Sequence, residues 1–260
     1  MSRFKKLFET KQQRVLNVYC TAGYPFLEST PTVLNTLFAN GADIVELGMP
    51  YSDPLADGPV IQNSSTIAIN NGMSMQVLFN QLKKWNDATA ADKRGALVLM
   101  GYMNPVLQYG FKQFCADAAA VGVDGLILPD LPEYEFETEY GTIIKKYGLD
   151  FIFLVTPETS EARIKKLDSL STGFLYAVSS SSTTGSNKNM TDVNTYLKKL
   201  QTLHLQNPVL VGFGIKDKSS FDAACLHANG AIIGTAFIKA LENTTDVAAA
   251  SQKFLETVLK

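Results

Sequence analysis

The chain has 260 residues, 46% of them hydrophobic, and a formal net charge of −2. This length predicts one large α/β domain or two small ones, and the near-neutral charge excludes a strongly basic surface for nucleic acid or an anionic membrane. Three dispersed cysteines, an N-terminus without a signal peptide and no apolar run near the roughly 20 residues of a membrane span lead us to expect a soluble, cytoplasmic protein.

Short apolar runs recur along the chain, and each is followed by a stretch with apolar residues at helical spacing. This alternation, repeated eight times, predicts a parallel sheet closed as a single-domain (β/α)8 TIM barrel with extra helices. An open doubly wound sheet is the alternative, but the Gly-rich turn that usually follows its first strand is absent. The predicted strands are residues 15–20, 43–47, 96–100, 125–128, 150–154, 173–178, 208–211 and 231–233.

Two helices are predicted outside the regular alternation. The interval between the second and third predicted strands is the longest, and it contains a helical stretch at residues 64–70. Residues 243–260 predict a closing C-terminal helix with Asn243 or Thr244 as its N-cap. No linker, low-complexity tract or charge block divides the chain, so we expect one domain over residues 1–260.

One carboxylate, Glu46, lies inside the apolar second strand, and Asp53 and Asp57 follow it in a loop rich in proline and glycine. An unpaired carboxyl group in an apolar setting keeps its proton to higher pH, which lets it give and take protons near neutrality. A paired core residue and ordinary turn residues are the alternative interpretations. Active sites of TIM barrels lie at the carboxyl ends of the strands. Other candidates at such positions are Tyr19, Cys20, Tyr102, Asn104, Asp130 and Tyr176.

The loops after the last three strands are rich in small residues, at positions 179–186, 212–214 and 234–235. Backbone N–H groups of such loops approach anions closely, and barrels often bind phosphate after strands seven and eight. Turn glycines are the alternative explanation. The pattern predicts an enzyme that acts on a phosphorylated substrate, with a carboxylate as the proton shuttle.

Residues 46–62 read ELGMPYSDPLADGPVIQ, and this string resembles the signature of the tryptophan synthase alpha subunit family. The resemblance extends over nearly the whole chain, through TAGYP at 21–25, MGYMNP at 100–105, PDLP at 129–132, GFGI at 212–215 and GTA at 234–236. It implies a lyase that cleaves indole-3-glycerol phosphate to indole and glyceraldehyde 3-phosphate by a retro-aldol step. The family needs no metal and no organic cofactor for this step.

The resemblance also implies roles for individual residues. Glu46 matches the general acid/base, and Asp57 matches the acid that accepts a hydrogen bond from the indole N–H. Ser182 departs from the family, which usually has a glycine there, and this puts the closing rate of that loop in question. The implied substrate-binding residues are Tyr19, Tyr176, Thr184, Gly185, Phe213, Gly214, Gly234 and Thr235.

The family resemblance further implies a partner, a pyridoxal-phosphate-bearing beta subunit that receives indole in an alpha2-beta2 tetramer. The Asp53 loop and the Asn104–Pro105 loop match the contact regions. Two alternatives remain open at this point. One is another barrel enzyme acting on a ribulose- or glycerol-phosphate substrate, and the other is a chain kept mainly as an activator of the beta subunit.

Overall fold

The computed structural model describes residues 2–178, 190–212 and 214–260, except for the side chains of residues 190–192. Its strands form one sheet in the order β5-β4-β3-β2-β1-β9-β8-β7-β6, and every neighbouring pair is parallel. The strands are β1 (Val15–Thr21), β2 (Ile44–Gly48), β3 (Ala96–Met100), β4 (Gly125–Ile127), β5 (Asp150–Phe151), β6 (Leu154–Val155), β7 (Leu175–Val178), β8 (Val209–Gly212) and β9 (Gly230–Ile233).

The two strands at the ends of this order, β5 and β6, belong to one short segment of the chain. The Ile152 N–H donates to Leu126 O on the β4 side, whereas Phe153 O accepts from Tyr176 N on the β7 side. The segment therefore pairs with both edges of the sheet and closes it. The predicted TIM barrel is confirmed, and its fifth strand is interrupted where the hydrogen bonding changes sides.

Helices surround the barrel and cover one of its ends. They are α1 (Arg3–Thr10), α2 (Ser29–Ala39), α3 (Pro59–Asn70), α4 (Met75–Ala88), α5 (Met103–Tyr109), α6 (Phe111–Ala120), α7 (Glu133–Glu135), α8 (Gly141–Lys146), α9 (Glu161–Leu170), α10 (Met190–Thr202), α11 (Lys218–Cys225), α12 (Thr235–Ala240) and α13 (Val247–Leu259). A π-helical turn, Phe136–Tyr140, joins α7 to α8.

Two of the predicted helix starts are wrong. The extra helix, predicted at residues 64–70, begins at Pro59, whose fixed φ and missing N–H suit the first turn of a helix. The C-terminal helix begins at Val247, and its cap is Asp246, whose carboxylate accepts from Ala249 N over 3.0 Å. Asn243 cannot serve as the cap that was predicted, because it precedes the helix in a left-handed conformation with φ of 58°.

The inside of the barrel is filled by apolar side chains from the strands and by Phe4 of α1. Phe4 is fully buried, and its ring lies 5.9 Å from that of Phe174. It packs beside Gly125, the first residue of β4, and Gly173, two residues before β7. Helix α1 therefore closes the amino end of the barrel and leaves the carboxyl end as the open mouth.

Candidate active site

Glu46 lies on β2 and faces the barrel interior, as Ile44 does two residues earlier. Its side chain is fully buried, and Oε1 accepts a hydrogen bond from the side-chain amide of Asn17. Within the described residues Oε2 has no hydrogen-bond partner. Burial raises the pKa of Glu46 to about 8, although the Asn17 amide opposes this shift. The carboxyl group therefore holds a proton at neutral pH that it can readily give up.

Asp57 lies on the loop between β2 and α3, and its side chain is only partly exposed. Burial raises its pKa to about 6, and a hydrogen bond from Tyr102 opposes the rise. The Tyr102 hydroxyl donates to Asp57 Oδ2 over 3.0 Å and accepts from Ala56 N over 3.1 Å. Gln62 supports the same loop, because its amide donates to Asp57 O over 2.8 Å. Asp57 is thus a largely ionised group at pH 7, held in place by its neighbours.

Two tyrosines enter the barrel mouth, and each lies against a glycine of the next strand. Tyr19 packs over Gly48, so closely that a Cβ there would overlap its hydroxyl. Tyr176 packs over Gly212, where a Cβ would lie 2.6 Å from the tyrosine hydroxyl. Both tyrosines have pKa values raised by burial and by the nearby carboxylates. The glycines thus allow two flat rings to lie beside the carboxylates.

The mouth contains a narrow cavity of about 10 Å³, which is roughly the room for one water molecule. Asp57 lines this cavity together with Tyr19 and Tyr102. The rest of its wall comes from Met49, Pro54, Ser65, Met100, Gly101 and Pro129. The structure therefore brings Asp57 and Tyr19 together, with Glu46 directly opposite Tyr19 in the β1–β2 pairing.

The predicted phosphate-binding residues are described in part. Gly214 is exposed and has φ of 51°, in the left-handed region that favours glycine. Gly234 precedes α12, whose first residue is Thr235, and a Cβ at Gly234 would lie 3.5 Å from Tyr19 Cβ, so Gly234 borders the tyrosine. Thr184, Gly185 and Phe213, as well as Ser182, lie outside the described residues.

Sequence reasoning gave no role to two polar side chains that touch the carboxylates. Tyr102 was a candidate by its place after a strand, but its bond to Asp57 depends on how two loops meet. Asn17 was missed. The feature of the sequence that could have identified it is an amide side chain two residues before Tyr19, on the face of β1 that points into the barrel.

The described part of the chain contains no group of three or more His, Cys, Asp or Glu side chains that could hold a metal ion. None of the helices described there is both long and apolar enough to cross a bilayer.

A closed parallel barrel with two carboxyl groups of unlike pKa at its mouth defines a TIM-barrel enzyme equipped for proton transfer. A family model described as "Tryptophan synthase alpha chain" matches residues 4–259. The chain belongs to the tryptophan synthase alpha chain family, as the string at residues 46–62 predicted. It is a carbon–carbon lyase of tryptophan biosynthesis that cleaves indole-3-glycerol phosphate to indole.

Individual relatives agree with the family model. The tryptophan synthase alpha chain of Parabacteroides distasonis is 45% identical over 99% of both chains. That of Flavobacterium johnsoniae is 48% identical over 92% of this chain and 93% of its own. Among solved structures, tryptophan synthase subunit alpha from Legionella pneumophila is 31% identical, covers 99% of this chain and 97% of its own, and has a TM-score of 0.89. An aminoacrylate-bound tryptophan synthase from M. tuberculosis is 29% identical, covers 99% of this chain and 100% of its own, and has a TM-score of 0.84.

Proposed function

We propose that Glu46 and Asp57 divide the chemistry of the lyase reaction between them. Neutral Glu46 gives its proton to C3 of the indole ring, which leaves positive charge on the ring nitrogen. Ionised Asp57 accepts a hydrogen bond from the indole N–H and stabilises this cation as it forms. The Glu46 carboxylate then takes the proton of the carbinol hydroxyl while the C–C bond breaks. Indole and the aldehyde result, and Glu46 ends the cycle protonated as it began.

The observation that carries this proposal is the difference in pKa between the two carboxyl groups. The pKa of Glu46 is about 8 and that of Asp57 about 6, in both cases because burial disfavours the charged form. At pH 7 the first is mainly protonated and the second mainly ionised. These are the two states that the mechanism requires at its start.

We propose that two sets of residues at the barrel mouth bind the substrate, one for the indole ring and one for the phosphate. Tyr19 and Tyr176 offer flat apolar surfaces beside the carboxylates, suited to packing against an indole ring. The phosphate would rest on backbone N–H groups at Gly214, Gly234 and Thr235 rather than on lysine or arginine side chains. Thr184, Gly185 and Phe213, all outside the described residues, would complete this site.

We further propose that the chain works as a single domain in the cytoplasm, beside a beta subunit in an alpha2-beta2 tetramer. The lyase step would need no cofactor on this chain, and pyridoxal phosphate would belong to the partner. The proposed contact loops are connected to the site, because Asn104 donates to Tyr51 OH over 3.0 Å and the Tyr51 ring lies 5.5 Å from that of Tyr102. Leu55, 86% exposed, offers the same face an apolar contact.

The deciding experiment is an assay of indole release from indole-3-glycerol phosphate by Glu46→Gln, with and without a beta subunit. The amide keeps the shape of the side chain but carries no proton, so we expect turnover to fall by ~10² to 10⁴ while binding of a substrate analogue persists. Glu9→Gln, the same change at an exposed position of α1, is the control. Near-normal turnover by Glu46→Gln in both conditions would overturn the assignment.

A further inference from the structure

Asn17 is a fully buried amide in an apolar layer of the barrel interior. It lies on β1, where it pairs with Ile44 on one side and with Ile232 on the other. Both neighbours, like Val15 two residues earlier, belong to the apolar cluster that fills the barrel. Packing alone would be served better by an apolar side chain of similar size, since a buried amide needs hydrogen-bond partners.

The only hydrogen bond found for this amide within the described residues goes to the proposed acid/base. Asn17 Nδ2 donates to Glu46 Oε1, whereas Asn17 Oδ1 has no partner among the residues described. Leaving a buried carbonyl oxygen unpaired lowers the stability of the fold. The contribution of Asn17 is therefore made through Glu46.

We infer that Asn17 is a positioning residue that holds Oε1 of Glu46 towards the amino end of the barrel and favours the ionised form of the carboxyl group. Oε2, which has no partner within the described part of the chain, is then the atom that faces the substrate. The inference rests on the proposed role of Glu46. A donor at this position makes Glu46 a better proton donor to the indole ring, because the carboxylate that remains is stabilised.

The other titratable groups that face Glu46 do not supply this stabilisation. Tyr19 faces it from β1 and Tyr176 faces it from β7, whereas Cys20, although electrostatically affected by Glu46, points to the opposite face of β1 from Tyr19. Burial raises the pKa of all three, so each is uncharged at neutral pH. On the β3 side the residue paired with Glu46 is Val98, which has no polar side-chain atom. Within the described residues, the side-chain hydrogen bond that favours ionised Glu46 is the one from Asn17.

The test replaces the amide by an apolar side chain of similar volume, Asn17→Val, and follows Glu46 directly. Carbon-13 NMR of labelled glutamate, with the Glu46 signal assigned by its loss in Glu46→Gln, gives the pKa without any turnover. We expect this pKa to rise by about one unit, because a hydrogen bond to a charged group is lost. Turnover at pH 7 should fall by up to about tenfold at nearly unchanged KM, because one pKa unit makes Glu46 a tenfold weaker acid towards the indole ring.

The upper limb of the pH–rate profile should move to higher pH by the same amount, because neutral Glu46 is the form that starts the reaction. Gln81→Leu is the matched control. Gln81 is another buried amide whose oxygen has no partner among the described residues, but it lies on α4, where it donates to Leu27 O. Its replacement should leave both the Glu46 titration and the pH–rate profile unmoved.

An unshifted Glu46 titration in Asn17→Val would overturn the inference and leave Asn17 as packing only. If Asn17→Val fails to fold, Asn17→Ala, which adds no volume, is measured in the same way and decides the question. Failure of the proposed function would look different. Glu46→Gln would then turn over normally, whatever the Glu46 titration does in the Asn17 variants.

Discussion

Tyr102 donates a hydrogen bond to Asp57 over 3.0 Å and accepts one from Ala56, so a single hydroxyl ties the Asp57 loop to the residues that follow β3. The bond stabilises the ionised form of Asp57 and lowers a pKa that burial has raised. Tyr102 therefore fixes the position of Asp57, the residue proposed to stabilise the indole cation, and lowers its pKa. Loss of the hydroxyl should affect both its position and its charge.

We expect Tyr102→Phe to lower kcat/KM about tenfold at pH 6, with a smaller loss at pH 7.5. Without the hydroxyl the pKa of Asp57 rises above 6, so less of the ionised form is present at the lower pH. Steady-state assays at both pH values measure the effect. Tyr109→Phe is the matched control, because Tyr109 donates to Asp117 over 2.6 Å on helices α5 and α6. Equal losses at both pH values would argue against a charge effect.

The pH dependence of the wild-type enzyme should be bell-shaped. Activity should rise through pH 6 as Asp57 ionises and fall through pH 8 as Glu46 loses the proton it must donate. The measurement is kcat/KM from pH 5 to 9.5 at constant ionic strength, to which both ionisations of the free enzyme contribute. A profile that rises through pH 8 would show that ionised Glu46 starts the reaction, contrary to the order proposed above.

Glu46→Gln should be more stable than the wild type at neutral and alkaline pH. Burial raises the pKa of Glu46 from 4.5 to about 8, so between these values the folded protein holds a proton that the unfolded chain releases. Stability of the wild type therefore falls with rising pH across this window, by up to about 1.4 kcal/mol per pH unit. Urea unfolding of both proteins at pH 5, 6.5 and 8 should show a widening difference, whereas Glu9→Gln should show none.

Gly212→Ala should impair the site through Tyr176. The new methyl group would lie 2.6 Å from the tyrosine hydroxyl, so the ring must leave its place in the mouth. We expect substrate affinity to fall, and a double-mutant cycle with Tyr176→Leu to be strongly non-additive, because the leucine removes the atoms that clash. Independent, additive losses in KM would mean that Gly212 acts on the phosphate and not on the ring.

A beta subunit should bind more tightly when a non-cleavable substrate analogue occupies the lyase site. The contacts from Asn104 through Tyr51 and Tyr102 to Asp57 connect the proposed interface to the site. Each ~1.4 kcal/mol by which the partner favours the competent loop conformation raises the rate up to tenfold, and the coupling is reciprocal. Isothermal titration with and without analogue measures it, and equal affinities together with an unchanged lyase rate would exclude the coupling.

Sequence periodicity predicted the barrel because buried parallel strands and amphipathic helices leave strong local patterns. The break in the fifth strand left no such pattern, since it arises where the backbones of Ile152 and Phe153 form hydrogen bonds with different neighbouring strands. Glu46 and Asp57 were identified from a residue string, but their pKa values depend on Asn17 and Tyr102, which reach them across strand and loop contacts. Helix α1 was not predicted, because its role depends on Phe4 meeting strands far along the chain.

The packing of Phe4 has a consequence for the order of folding. Phe4 rests against residues near Gly125 and Gly173, and Arg3 pairs with Asp124 over 2.7 Å across 121 residues of chain. Phe4 and Arg3 thus cannot reach their native contacts until the chain has been made as far as Gly173 and Asp124, respectively. Such long-range closure is slow and leaves apolar surface exposed during synthesis. The amino end of the barrel therefore stays uncovered until late in synthesis, and this is the stage at which a chaperone would protect it.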